Sequence, residues 1–207
     1  MSAHALSFKG LGTVGTASDC DLVVRATAGL EDGFEELVRR YQRPIAAYVY
    51  RMIGDYESSL DLTQEVFIKV YASLARYRPE YKFSTWIYRI AHNVAIDYLR
   101  RNAVARREMI FTLEADDAEE FEMPLASSAL SPEEESELKE RRAEIEAVIG
   151  CLPPPYRELI VLRHAHDMNY DEIAEVTNLP LGTVKNRIFR AREAMRAMFV
   201  ERGISCI

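Results

Sequence analysis

The sequence predicts an all-α protein with two small helical domains, an N-terminal helical bundle and a C-terminal four-helix domain with a helix-turn-helix, joined by an acidic flexible linker. Apolar residues recur at spacings of three and four through most of the chain, whereas almost no segment alternates with a period of two. A chain of 207 residues, 48% of them hydrophobic, is long enough to bury two cores. Between the two periodic blocks the apolar pattern disappears and acidic residues accumulate.

The net charge of −7 comes from one segment of the chain. Residues 102–137 contain eleven acidic and two basic side chains, whereas residues 19–101 contain twelve of each. Residues 138–207 contain eleven basic and ten acidic side chains. The overall acidity therefore does not exclude a nucleic-acid partner for either flanking block.

Apolar stripes define the helices of the first block. Residues 1–18, rich in small side chains, predict a flexible N-terminal arm, and residues 19–101 predict three or four helices. The first stripe consists of Phe34, Leu37, Val38 and Tyr41. Pro44 is expected to kink or interrupt that helix, because proline donates no backbone hydrogen bond. The next stripe consists of Leu62, Val66, Phe67, Val70 and Leu74.

Polar residues mark where the later helices of this block begin. Ser58 or Ser59 can cap the helix with the second stripe, because a serine hydroxyl can accept a hydrogen bond from a first-turn N–H. Ser84 can cap a last helix over residues 85–101. The inward positions of that last helix are Ile87, Ile90, Ala91, Val94 and Tyr98.

The acidic segment separates this bundle from a second block. Residues 102–130 predict an extended linker, since closely spaced carboxylates repel and little apolar surface offsets the entropy of ordering. Residues 131–200 form the second block, which opens with a serine cap followed by proline. Three prolines at 153–155 force a turn between its first two helices. Residues 201–207 are left as a C-terminal tail.

Residues 169–199 predict a helix-turn-helix. Asn169 and Glu172 have the spacing of a capping box, and Pro180 is permitted at the start of the second helix. The apolar stripe of the second helix consists of Val184, Ile188, Ala191 and Met195. The cations beside or opposite this stripe are Lys185, Arg187, Arg190, Arg192 and Arg196. A short helix packed across a longer cationic one is the arrangement that enters a DNA major groove.

Residues 76–101 interleave cations with aromatic rings. The segment has six basic and two acidic side chains. Its aromatic residues are Tyr77, Tyr81, Phe83, Trp86, Tyr88 and Tyr98. Unstacked bases gain about 1–3 kcal/mol each by stacking on such rings, so the segment suits a melted strand, although Phe83 and Trp86 can equally belong to the core. The outward residues of the last helix are Tyr88, Arg89, His92, Asn93, Ile96 and Arg100.

Three motifs in this order resemble one protein family. They are DLTQEVF at residues 61–67, FSTWIYRIAHNVAIDYLR at residues 83–100 and GTVKNR at residues 182–187. With them, residues 19–200 resemble the extracytoplasmic-function subgroup of bacterial RNA polymerase sigma factors. Asn186 stands where a serine is more usual in this family.

The resemblance implies a division of labour between the two domains. The helix over residues 61–69 would bind core polymerase, the aromatic and basic segment would melt and hold the −10 element, and the last helix would read the −35 element. The implied polymerase-binding residues are Asp61, Gln64, Glu65, Ile68 and Lys69. The implied −10 residues are Tyr81, Lys82, Phe83, Ser84, Thr85, Trp86, Tyr88, Arg89, His92, Asn93 and Arg100. The implied −35 residues are Thr183, Lys185, Asn186, Arg187, Arg190 and Arg192.

The implied partners are core RNA polymerase, double-stranded and melted promoter DNA, and an anti-sigma factor that holds the protein silent. The residues alone support the polymerase face, because Ile68 interrupts an otherwise polar surface off the core stripe. A helix-turn-helix regulator that acts without polymerase is the nearest alternative. Such a regulator has no evident use for that polar helix or for the aromatic and basic segment.

An enzyme is the more distant alternative. His164, His166 and Asp167 could contribute to a metal site, but two histidines and one acid more often form a solvated helix end. The sequence has no glycine-rich phosphate loop, zinc motif or nucleophile elbow. We therefore expect no catalytic residues, no cofactor and no metal.

The remaining composition points to the cytoplasm. Three cysteines, odd in number and widely spaced, suit free thiols in a reducing compartment: Cys20, Cys151 and Cys206. No apolar run approaches the roughly 20 residues that span a bilayer, so no direct membrane insertion is expected.

Overall fold

The computed structural model describes residues 17–108 and 132–203, and no strand occurs within these two ranges. The helices are α1 (Asp19–Thr27), α2 (Glu31–Ile53), α3 (Tyr56–Ser73), α4 (Phe83–Glu108), α5 (Pro132–Cys151), α6 (Pro154–His164), α7 (Tyr170–Thr177) and α8 (Leu181–Glu201). A short 3-10 turn, Leu74–Arg76, follows α3. The all-α fold is thus confirmed. Residues 1–16 of the predicted arm (1–18) and residues 109–130 of the predicted linker (102–130) lie outside the described residues.

Side-chain caps set the starts of α1 and α3. The Ser18 hydroxyl accepts a hydrogen bond from the Asp21 backbone N–H at 3.2 Å, and the Asp21 carboxylate accepts one from the Ser18 N–H. The Asp55 carboxylate accepts from the Ser58 backbone N–H at 2.7 Å. Hydrogen bonding from the Ser58 side chain and from this N–H lowers the pKa of Asp55. The predicted cap at Ser58 or Ser59 is therefore wrong, because the helix begins about one turn earlier, where an anionic cap also favours the positive end of the helix dipole.

Pro44 neither interrupts nor ends α2. The helix runs from Glu31 to Ile53 with the proline inside it and ends at Gly54, which takes the left-handed conformation at φ 77°. Of the two expected effects of Pro44, the interruption is wrong because the residues after the proline continue the buried face of the helix, and the kink stays a prediction. Those residues are Ile45, Tyr48, Val49 and Met52. Their burial offsets the cost of about 3 kcal/mol for a proline within a helix.

Helix α4 differs from the prediction at both ends. The Trp86 N–H donates to the Lys82 carbonyl oxygen at 3.2 Å, so the helix begins before Ser84, and the predicted serine cap is wrong. The helix also continues past Arg101 to Glu108, so residues 102–108 are helical and the extended linker predicted from residue 102 is wrong over this stretch. Alanine and arginine dominate this extension, and both have high helix propensity.

Each group of four helices surrounds its own apolar interior. Fully buried side chains of the first unit, α1–α4, include Leu22, Leu37, Val66 and Ile87. Fully buried side chains of the second unit, α5–α8, include Leu159, Leu162, Ile173 and Ile188. The predicted core positions of α3 and of the turn after it are all buried, which confirms that stripe: Leu62, Val66, Phe67, Val70 and Leu74.

Helices α7 and α8 form the predicted helix-turn-helix. The Asn169 side chain accepts from the Glu172 N–H at 2.9 Å, and the Glu172 carboxylate accepts from the Asn169 N–H at 2.8 Å, which confirms the capping box. Asn178 ends α7 in the left-handed conformation at φ 53°. Pro180 immediately precedes α8, as predicted.

The two units also pack against each other, which the sequence did not indicate. Helix α4 contacts α7, and α2 contacts α6. The buried apolar residues of both units form one continuous cluster. The polar residues at this junction overlap with the predicted DNA-binding set.

Gly33 provides a test of the close approach between α1 and α2. A methyl group at this position would lie 2.6 Å from the Leu22 carbonyl oxygen and 2.8 Å from the Ala26 backbone nitrogen. We expect Gly33→Ala to lower the free energy of unfolding by about 1–3 kcal/mol, because backbone atoms cannot move aside cheaply. Urea denaturation followed by circular dichroism measures the change.

Gly150→Ala is the matched control in another helix. No atom lies within 4 Å of the methyl group that it would add. Alanine is favoured over glycine in helices by up to about 1 kcal/mol, so this variant should lose no stability. Equal stability of the two variants would contradict the close approach at Gly33.

Candidate nucleic-acid interface

Helix α8 presents a cationic face to solvent. Its inner side is anchored by the buried residues Val184, Ile188 and Ala191. Of the predicted −35 residues, Thr183 and Arg187 are half-buried, and four are exposed: Lys185, Asn186, Arg190 and Arg192. A groove along this face is lined by Tyr156, Gly182, Thr183, Asn186, Arg187 and Arg190.

Most cations of this face have no acidic partner. Arg196, further along α8, pairs with Glu193 at 2.6 Å. Within the described residues no carboxylate pairs with Lys185, Arg187 or Arg190. Unpaired cations beside a groove favour a polyanion, because they are free to neutralise phosphates.

Helix α4 and the loop before it carry the aromatic cluster. The Trp86 ring lies 5.4 Å from Tyr77 and 5.6 Å from Phe83 between centroids, and it is half-buried. Phe83 is 2% exposed, and Thr85 is also buried. Phe83 packs against Tyr41 and Tyr77 inside the first unit, so its prediction as a direct DNA contact is corrected, whereas the role of Thr85 stays a prediction. The alternative of a core role is right for Phe83.

A groove adjoins this cluster between the start of α1 and the loop. Its wall includes Tyr81, Lys82 and Ser84. The Tyr77 hydroxyl donates to the Tyr81 carbonyl oxygen at 2.6 Å and holds the loop in place. Burial and the nearby Cys20 thiol raise the pKa of Tyr77 to about 12, so the phenol keeps its proton at neutral pH.

The predicted −10 residues on α4 divide into two groups. Arg89, Asn93 and Arg100 are exposed. Tyr88, by contrast, is 3% exposed, and His92 is half-buried. Both are covered by the second unit, so the predicted outward position of Tyr88 is wrong in this arrangement.

His166 is the residue that covers Tyr88. Its Nδ1 lies 2.7 Å from the Tyr88 hydroxyl, and the two rings are 4.5 Å apart. Burial and the Arg51 charge lower the pKa of His166 to about 4, so the imidazole is neutral at pH 7. The interpretation of this histidine as part of a solvated helix end is therefore wrong.

Glu158 occupies the centre of the junction. The Tyr48 hydroxyl donates to its Oε1 at 2.9 Å, and His92 Nδ1 contacts the same oxygen. Burial and the Glu158 charge raise the pKa of Tyr48 well above its usual range, which keeps it a donor. Sequence reasoning missed this acid because it lies in a helix of apolar residues with no nearby partner in the chain.

The predicted polymerase face on α3 is exposed. Asp61, Gln64, Ile68 and Lys69 are exposed, and half-buried Glu65 pairs with Lys69 at 2.7 Å. Ile68 is 68% exposed. Contiguous exposed apolar surface, more than any single exposed side chain, marks a protein interaction site.

Tyr71 extends this α3 surface but was missed in the sequence. Its ring lies 5.0 Å from Phe34 in an edge-on arrangement, and most of the side chain is exposed. The sequence signal for Tyr71 was its position one helical turn beyond Ile68, which places both side chains on the same side of α3. Tyrosine is enriched in protein interfaces.

Within the described ranges, no group of three or more His, Cys, Asp or Glu side chains is arranged to hold a metal ion. Cys20 and Cys151 are free thiols, as predicted, and Cys206 lies outside the described residues. No helix in the part of the chain that the structure describes is both long and apolar enough to cross a membrane.

Comparison with known proteins matches a protein-family model to each of the two units. Residues 37–105 match the model of Sigma-70 region 2, and residues 142–195 match that of Sigma-70 region 4. The ECF RNA polymerase sigma-E factor of Escherichia coli K12 is 40% identical over 181 residues, covering 86% of this chain and 92% of the relative. The chain belongs to the extracytoplasmic-function sigma factors. It is an alternative sigma factor, a transcription initiation factor that directs RNA polymerase to promoters.

Other relatives agree with this family. The RNA polymerase sigma-H factor of Pseudomonas aeruginosa PAO1 is 38% identical over 178 residues, covering 86% of this sigma factor and 91% of the relative. The solved structure of the sigma factor RpoE of Bartonella quintana, in complex with the anti-sigma factor NepR, superposes with a TM-score of 0.64 at 17% identity. It covers 80% of this chain and 96% of that one. At this identity the likeness concerns the fold.

The depressed pKa of His166 predicts an acid-sensitive stability. The unfolded chain binds a proton near pH 6.5, whereas the folded protein does so only near pH 4. The free energy of unfolding should therefore fall as the pH drops from 6.5 towards 4, by up to about 3 kcal/mol from this group. Urea denaturation at a series of pH values measures it.

His166→Phe is the control, because it keeps a ring against Tyr88 but cannot titrate. The free energy of unfolding of the variant should change less with pH over this range, because unfolding no longer takes up the proton of His166. Identical slopes for the two proteins would contradict the buried neutral imidazole.

Proposed function

We propose that the two units divide promoter recognition in this sigma factor. Residues 19–101 bind core polymerase and hold the melted −10 element, and residues 131–200 read the double-stranded −35 element. The acidic segment, residues 102–130, connects them. The unpaired cationic face of α8 is the observation that carries this proposal.

Helix α8 has the chemistry to read a duplex. The Asn186 amide can donate to and accept from an adenine edge, and Arg187 and Arg190 can bind guanine edges or phosphates. Neutralised phosphates release counterions, so affinity for the promoter is expected to decrease steeply as salt rises. Buried Val184 and Ile188 hold these side chains at a fixed rotation.

The loop before α4 has the chemistry to hold a single strand. Tyr81 is 53% exposed and borders the groove that Lys82 also lines. An unstacked base can lie on Tyr81 or on the free side of Trp86, while Arg89 and Arg100 neutralise the backbone. Holding unpaired bases traps the open duplex, because exposing a base costs a few kcal/mol.

The exposed face of α3 is the proposed site for core polymerase. It is defined by Asp61, Gln64, Glu65, Ile68 and Lys69, with Tyr71 beside it. Charged side chains around exposed apolar ones give both orientation and buried area in a protein complex.

We also infer an anti-sigma factor as a protein partner. The structure of CnrH was solved with the cytosolic domain of CnrY, and that of Bartonella quintana RpoE with the anti-sigma factor NepR. The fold shared with these proteins supports an inhibitor that masks one or both units.

Reconstituted transcription tests the proposed function. Purified core polymerase and this chain alone should produce transcripts with defined starts from a genomic fragment library of the source organism. A regulator that acts without polymerase would bind DNA and yet produce no new starts. That second result would overturn the proposal.

The −35 assignment predicts the effect of two arginines on α8. Arg187→Ala with Arg190→Ala should weaken promoter binding at least tenfold, because each such contact is worth about 1–3 kcal/mol. Binding to core polymerase should not change. Footprinting of the holoenzyme on duplex promoter DNA measures the loss.

Arg196→Ala is the matched control on the same helix. This arginine already pairs with Glu193, and its removal should change promoter affinity by no more than about twofold. Equal losses in both variants would assign the effect to net charge and contradict the proposed face.

The polymerase assignment predicts the effect of a charge on α3. Ile68→Glu should weaken binding to core polymerase at least tenfold, since a carboxylate would be desolvated at the interface. Val24→Glu is the control, because Val24 on α1 is exposed to the same extent, 67% against 68%. Fluorescence titration with core polymerase compares them, and equal affinities would contradict the α3 site.

A further inference from the structure

Gly182 is exposed in the first turn of α8, on the wall of the groove that Tyr156 borders from α6. A methyl group added at Gly182 would meet no atom within 4 Å. Gly182 is also not among the described glycines with a positive φ, which are Gly29, Gly54 and Gly203. Neither the packing nor the backbone geometry of the folded protein therefore requires glycine at this position.

Glycine is a costly residue at an exposed helical position. Alanine is favoured over glycine in helices, because glycine loses more backbone entropy when it is ordered. A glycine that the fold itself does not need is expected where another molecule approaches the backbone closely. At Gly182 that approach leads into the groove of the proposed −35 surface.

Asn186 lies one helical turn after Gly182 and lines the same groove. A helical side chain leans towards the N-terminal end of its helix, so the Asn186 amide is directed over the bare backbone of Gly182. The side chain is exposed, and no hydrogen bond within the described residues engages its amide. Both the donor and the acceptor of this amide are consequently available to a ligand.

The fold fixes the direction in which this pair faces. Val184 and Ile188, which lie on either side of Asn186 in the sequence, are fully buried. They hold α8 against α6 and α7, so the helix cannot turn Gly182 and Asn186 out of the groove. A donor and an acceptor in fixed positions distinguish ligands well, because little ordering entropy is lost on binding.

Duplex DNA offers one base edge that matches a carboxamide in both directions. In the major groove adenine presents an acceptor at N7 and a donor at N6, so an asparagine amide can make two hydrogen bonds with it. Guanine presents acceptors at both positions, which would leave the Asn186 oxygen without a donor. Thymine and cytosine each present a single hydrogen-bonding group.

We propose that Gly182 and Asn186 together form a base-reading site that selects an A·T pair within the −35 element. The missing side chain at Gly182 admits the edge of the adenine into the groove. The Asn186 amide then accepts a hydrogen bond from adenine N6 and donates one to N7. The inference rests on the proposed −35 role of α8, and it adds which base that surface demands and which residues demand it.

Base substitution in a promoter tests this site. The DNA is a promoter found by the reconstituted transcription described above, and each base pair of its −35 segment is replaced in turn by the other three. Competition in gel-shift titrations measures the affinity of the holoenzyme for each duplex. One A·T pair should be required, with at least about a fivefold loss for any replacement, since a good bidentate contact discriminates by that much.

Two substitutions of Asn186 should change the base preference in different ways. Asn186→Ala should lose at least about fivefold in affinity for the original promoter and should bind all four base pairs at that position about equally. Asn186→Asp keeps the shape of the side chain but can only accept hydrogen bonds. At that position it should favour cytosine, whose N4 donates, over adenine, whose N7 needs a donor.

Lys185→Ala is the control for the asparagine variants. Lys185 is exposed beside Asn186 but does not line the groove. Its removal should weaken binding to every sequence alike and reduce the salt dependence, as expected for a contact with a phosphate.

Gly182→Ala tests the access to the groove. The added methyl group should weaken binding to the original promoter at least about fivefold and reduce the preference for A·T at the position that Asn186 reads. Stability in urea should not fall, because alanine is the better helix former. Gly150→Ala, which also adds a methyl group in open space on a helix, should bind like wild type.

Two kinds of result would overturn the base-reading site while the −35 role of α8 stands. One is that no A·T pair of the −35 segment is required, or that Asn186→Ala keeps the preference. The other is that Gly182→Ala binds like Gly150→Ala, or that it loses affinity equally for all base pairs at the position.

Failure of the −35 role itself would look different. In that case Lys185→Ala, and Arg187→Ala with Arg190→Ala, would leave promoter binding unchanged, and no base pair of the −35 segment would affect it. The base-reading site would then fail together with the role on which it rests.

Discussion

The orientation of α4 about its own axis is fixed by packing, and it decides which side chains of this helix face outward from the first unit. Ile87 and Ala91 are fully buried against the bundle, which turns Arg89 and Asn93 outward. With 3.6 residues per turn, a helix packed on α2 and α3 leaves one strip for any other partner. In the structure α7 occupies part of that strip. The side of α4 that carries predicted −10 residues is thus also the side that the second unit contacts.

Helix α8 is constrained differently. The apolar side of α8 is covered by α6 and α7 within the second unit, so no contact with the first unit is needed to bury it. Its cations consequently remain exposed in the structure. This asymmetry follows from packing, because α4 has neighbours from both units and α8 from one.

Single acidic residues serve both local structure and contact between the units. Glu172 completes the capping box of α7 and pairs with Lys82 across the junction. Within the first unit, Asp19 accepts from Tyr41 and pairs with Arg40 at 3.0 Å, which ties α1 to α2. Carboxylates placed against the cations of a DNA surface resemble phosphates in charge and hydrogen bonding. The same electrostatics can therefore favour either a strand or a neighbouring helix.

The sequence by itself determined the elements that depend on local chemistry. The capping box at Asn169, the helix start after Pro180 and the buried stripe of α3 are set by residues within one or two turns of each other, and all were predicted correctly. The exposed cations of α8 followed from the same periodicity.

The tertiary structure alone decided which surfaces meet. It carried α2 through Pro44, placed Phe83 inside the bundle and brought Glu158 to His92 across 66 positions of the chain. Periodicity shows that a helix has an apolar side, but it does not specify the partner of that side, because many helices offer equivalent surfaces. The choice between them depends on shape and on pairing of buried polar groups, and both exist only once the chain is folded.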